Sequence, residues 1–159
     1  MGYDASPDAL DRDLVFDFFW RFSVFECALK REDYLKRGSY GSAQADWNAF
    51  AQTILGRFGA PCGDSLQEAI NVLTVRPPRR QIVRDGRLAW EAVECRCSFE
   101  AYVLTLVKTI RNNLFHGGKY PDGLIAEVER DRTLLQAALK VLECCYELHP
   151  GLARWRDAA

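Results

Sequence analysis

The sequence predicts an all-α protein: a single bundle of about five helices carrying one small β-hairpin near residues 79–91. Three observations lead there. Apolar residues recur at helical spacing through most of the chain. The clear break in that period is the proline- and arginine-rich stretch "RPPRRQIVRDGRLAW". The chain has 159 residues, 48% of them apolar, and a net charge of -1, which describes one globular domain large enough to bury a core. That domain is expected to span residues 1–159, with its core from about residue 8 to about residue 148 and short flexible ends. The near-zero charge gives no global attraction for nucleic acid, so a polyanion must be held by a local basic patch.

The first helix opens in "SPDALDRDLVFDFFWRFSVFECALKRE", with Ser6 as cap, Pro7 in the first turn and Asp8 complementing the helix dipole. Leu14, Phe18, Phe22, Phe25 and Leu29 form a stripe that Val15, Phe16, Phe19 and Trp20 widen. A helix this apolar is buried on most sides, by its own domain or by a second subunit. Asp17, Arg21 and Glu26 interrupt it too often for a membrane span. The start "MGYDASPDAL" lacks the pattern of a signal peptide, so a cytoplasmic protein is expected, with no membrane partner.

"KRGSYGSAQ" reads as a loop, and "ADWNAFAQTILGRFG" as a second helix capped by Asp46 and stopped at Gly59. A third helix starts near Asp64, with Leu66, Ile70 and Leu73 inward. The hairpin follows, because Asp85-Gly86 accepts the positive φ angles of a tight turn. It carries Arg76, Arg79, Arg80, Arg84 and Arg87 against Asp85. Such a run is either an edge protected by charge or a phosphate-binding, hence RNA-binding, strip. Ser98 caps the next helix, whose stripe runs through Phe99, Tyr102, Val103, Leu106, Val107, Ile110 and Leu114 to the stop at Gly117-Gly118. After "YPDG" a long helix returns, with Leu124, Val128, Leu135, Leu139, Leu142 and Cys145 inward, as an antiparallel neighbour.

The six cysteines lack zinc-site spacing and read as free thiols, mostly core filler; no metal site and no cofactor are expected. One of the two histidines, His116, follows Arg111 by five residues in "TIRNNLFHGGKYPDG". Arg111 sits at the edge of the apolar stripe, and His116 in the last helical turn suits the negative end of the dipole. Histidine exchanges protons near neutral pH, and arginine grips a phosphate in two-pronged fashion. Asn112 and Asn113 add hydrogen-bonding groups and Lys119 a mobile cation. The set suits metal-free attack on a phosphodiester in which RNA supplies its own 2′-hydroxyl. The bland alternative is a histidine that caps the last helical carbonyls.

The order of elements, with the capped "DWNAFA" helix, the proline–arginine hairpin and the helix ending "IRNNLFHGGK", resembles the HEPN superfamily from about residue 8 to about residue 148. That family's signature is arginine, usually a polar residue, then histidine after a gap of four to six; Arg111, Asn112 and His116 match with a gap of four. The resemblance implies a helical domain that dimerises so that two motifs face one cleft. It implies metal-independent endoribonuclease activity, often in toxins or defence effectors that have a cognate antitoxin. Arg111 and His116 would be the catalytic pair, with Asn112 in support. Glu26 joins them if the acid that some members place on the first helix is here paired with Arg111; a partly exposed edge position is the alternative. Some members carry a tyrosine two residues after the histidine as a modification site, whereas here that position is Gly118 and the nearest tyrosine is Tyr120. Other members bind a partner protein or nucleotide without cleaving RNA.

Overall fold

The structure, a computed structural model, describes residues 10–59, 63–115 and 125–158. Among these residues the chain forms six α-helices and two two-stranded antiparallel hairpins, so the helical class holds and the expected single hairpin becomes two.

Helix α1 (Arg12–Arg31) starts later than its sequence suggests. Asp11, not Ser6, is its cap, accepting from the amides of Asp13 at 2.9 Å and Leu14 at 3.4 Å. Ser6, Pro7 and Asp8 lie outside the described residues. Phe18, Phe22, Phe25 and Leu29 are buried as the stripe requires, but Phe16, Phe19 and Trp20 remain exposed.

Where a loop was expected, β1 (Leu35–Arg37) and β2 (Ala43–Ala45) pair with Leu35 opposite Ala45 and Arg37 opposite Ala43. Tyr40 stands at the tip, fully exposed and with positive φ. Helix α2 (Trp47–Thr53) keeps its Asp46 cap, whose carboxylate accepts from the Ala49 amide at 3.0 Å. It ends before the expected stop at Gly59. Gly56 adopts a φ of 71° and donates its amide to Glu100 at 2.8 Å, which turns the chain out of the helix. Ile54 and Phe58 still reach the core.

Helix α3 (Gly63–Val75) buries Leu66, Ile70 and Leu73. Strands β3 (Arg80–Arg84) and β4 (Arg87–Glu91) form the predicted hairpin around Asp85 and Gly86, both at positive φ. Cys95 and Cys97, expected as free thiols, are joined by a disulfide in the irregular segment before α4. The local bend brings their Cα atoms to 5.2 Å, a separation such a bond accepts. Cys144 and Cys145 do fill the core.

Ser98 caps α4 (Phe99–Phe115) through its hydroxyl to the Ala101 amide at 3.2 Å. Helix α5 (Ile125–Leu148) packs along α3 and α1 and also touches α4, while α2 packs on α4. The core joins the helices through aromatic rings. Phe25 meets Trp47 at 5.1 Å, Phe50 at 5.6 Å and Tyr146 at 5.3 Å between centroids.

The core also continues past residue 148, where a short flexible end was expected. Helix α6 (Pro150–Ala153) buries Leu152 completely. Its surroundings clamp it to the end of α1. Glu32 accepts from the Trp155 indole at 3.0 Å and from Arg154, and Tyr34 shares a 2.6 Å hydrogen bond with His149. A side chain on Gly151 would come within 2.9 Å of the Glu32 carboxylate and 3.0 Å of the His149 ring, so it would press on two members of the clamp.

Candidate functional site

The last described turn of α4 carries Arg111 and Asn112, with half-buried Arg111 at the edge of the stripe and Asn112 exposed. The Arg111 guanidinium lies over the Phe115 ring, 4.6 Å from its centroid, and 5.7 Å from that of Phe22 on α1. Phe115 in turn meets Phe19 of α1 at 5.1 Å. Nη1 of Arg111 donates to Asn112 Oδ1 at 3.1 Å. Among the described residues, aromatic faces and a neutral amide hold this cation in place, and none of them offsets its charge. His116 and Lys119 lie outside the described residues, the former directly after Phe115 in sequence.

Asn113 turns inward. It is buried, and its amide donates to the carbonyl of Arg79 at 2.8 Å, which ties the hairpin's approach to α4. Glu26 is half-buried and accepts from the Trp47 indole at 3.1 Å. Trp47 stacks on Phe22 at 5.3 Å, so Glu26, Trp47, Phe22 and Arg111 form one chain of contacts across α1, α2 and α4.

The hairpin arginines are less open than their sequence implies. Arg80 donates through Nε and Nη2 to Glu91 at 2.9 and 2.6 Å, and Arg84 pairs with the same carboxylate at 3.6 Å. Arg79 donates to the Trp90 carbonyl at 3.0 Å. Arg87 is exposed opposite Arg84 beside the turn. Arg76 is exposed at the end of α3, and its carbonyl accepts from Arg130. Glu91 lies just past the basic run, in register with Arg80, and strand pairing makes it a counter-charge.

No family model, curated protein or solved structure matches this chain.

Three residues gain weight from the structure that sequence reading passed over. Phe115 supports Arg111, and its signal was the four-residue helical spacing between them. Lys108 lies one turn before Asn112, with its ammonium 5.9 Å from the Trp47 ring centroid. Burial pushes its pKa down and nearby Lys36 adds to that, while Glu26 and Asp46 oppose it. Asp131 of α5 is buried and lines a cavity of about 20 Å³ with Asn113 and Ile110 behind the end of α4; no sequence spacing linked it to them. Among the described residues no group of three His, Cys, Asp or Glu side chains could hold a metal ion, and no helix is long and apolar enough to cross a membrane.

Proposed function

We propose that the protein is a metal-independent endoribonuclease of HEPN type that works as a homodimer in the cytoplasm. The observation that carries this reading is the Arg111 guanidinium, fixed on Phe115 and Phe22 beside Asn112, five residues before His116 in sequence. In the reaction the 2′-oxygen attacks the adjacent phosphorus as its proton passes to a base. The bond from phosphorus to the 5′-oxygen breaks, and that oxygen takes up a proton. His116 is assigned the proton transfer, Arg111 the charge that builds on the phosphoryl oxygens, and Asn112 the support of Arg111. Phe19 of α1 meets Phe115 beside Arg111, and Phe16 and Trp20 are exposed on the same helix, so a second copy covering Phe19 would bring its own motif near. A role as toxin or defence effector, with a cognate antitoxin, rests on the resemblance.

The alternative is a non-catalytic HEPN module that binds a partner protein or nucleotide. The sharing of Glu91 by Arg80 and Arg84 favours it, because one carboxylate offsets part of the charge on the strip a long RNA would use. Assays on labelled RNA separate the two. The enzyme reading expects cleavage in EDTA with 2′,3′-cyclic phosphate ends, and loss of about a hundredfold in rate for both Arg111→Ala and His116→Ala. Cleavage that needs magnesium, or wild-type protein that leaves RNA intact, overturns it.

A further inference from the structure

Helix α4 offers the hairpin a second polar face, which meets the Arg111 platform at Asn112. Lys108 and Asn112 of α4 and Arg80 of β3 line a groove of about 360 Å³, with Gln81 and Glu94 also on its walls. Lys108 is half-buried there yet has no ion pair among the described residues. The acids that act on it have other duties: Glu26 accepts from Trp47, and Asp46 caps α2. Lys36 of β1 is close enough to repel it. Arg80 keeps Nη1 outside its contacts to Glu91. Lys108 and Arg80 are two cations on one groove, and an incoming anion stabilises them; Glu94, exposed on the wall, is the opposing charge there.

We propose that this groove is a phosphate-binding site, with Lys108 as its anchoring cation and Asn112, Gln81 and Arg80 Nη1 as hydrogen-bond donors. The phosphate belongs either to an RNA strand or to a free nucleotide. The site does not depend on RNA cleavage by Arg111 and His116.

The test is anisotropy of a fluorescent RNA of about 12 nucleotides, 2′-O-methylated throughout so that it cannot be cleaved, with ATP as a second probe. Lys108→Gln should weaken binding about tenfold and reduce the salt slope of log K by about one, while Lys108→Arg keeps most affinity. Melting of Lys108→Gln should match or exceed wild type, because a partly desolvated charge is removed. Binding of ATP that depends on Lys108 assigns the site to free nucleotides, and dependence for RNA alone assigns it to a strand. Wild-type affinity in Lys108→Gln for both probes, or no binding of either by wild type, overturns the proposal. Loss of cleavage in His116→Ala with binding retained leaves it intact.

Discussion

Phe115 and Tyr146 give opposite tests of what one aromatic side chain contributes. Phe115 is about half exposed, so little stability depends on it, yet it carries the Arg111 guanidinium. Phe115→Ala should lower melting by no more than about 1 kcal/mol while reducing RNA cleavage about tenfold or more. Parallel melting and cleavage assays check this, and unchanged cleavage would show that the platform does not position Arg111. Tyr146 is buried against Phe25, and its hydroxyl has no hydrogen-bond partner among the described residues. Burial pushes its phenol pKa up. Tyr146→Phe is expected to change stability by less than about 1 kcal/mol, or to raise it, in a urea titration, because no hydrogen bond is lost and a desolvated hydroxyl is removed. At this scale the sequence was informative about position but not partnership. The edge placement of Arg111 follows from the helical period. The choice of Glu26 between Arg111 and Trp47 is set by how α2 lies on α1, which no local spacing encodes.

Local signals predicted the elements they control and missed those held by distant contacts. The Ser98 cap with its apolar period gave α4, and Asp85-Gly86 gave the β3–β4 hairpin. The β1–β2 hairpin left no trace, because its three-residue strands are exposed almost throughout and so show no alternation. The early end of α2 depends on Glu100, 44 residues away from Gly56. Asn113 fastens one of these elements to another. Asn113→Ala should cost about 1–3 kcal/mol of stability by leaving the Arg79 carbonyl unpaired, and a urea midpoint at the wild-type value would refute that role. The α6 clamp responds to acid. Hydrogen bonds from Trp155 and then Arg154 hold the Glu32 carboxyl below its ordinary value of 4.5. Its contribution is therefore present above that value and lost as pH falls through the lowered one. The urea midpoints of wild type and Glu32→Gln should differ at about pH 6 and converge towards about pH 3. A gap that stays constant across that range would mean that Glu32 ionisation does not hold the clamp.

The molecule as a whole is asymmetric in how it covers its apolar residues. One side of α1 lies deep in the core, while the other leaves Phe16 65% exposed, Trp20 50% exposed and Phe19 at the margin. A surface of this kind is what a self-associating face requires. Phe16→Glu should leave the monomer folded, since the side chain is mostly outside the core, and should shift sedimentation at micromolar concentration from dimer to monomer. A wild-type protein that sediments as a monomer would rule out the shared cleft. The Trp20 indole also donates to the carbonyl of Ala158 at 3.2 Å, so residue 158 rests on this same flank. A bulky group placed at that carbonyl would act as a steric bumper beside Trp20. If two copies pair through this face, a bulky domain fused there would keep them apart without altering a residue of either, and a protease site in the join would release them to assemble on demand.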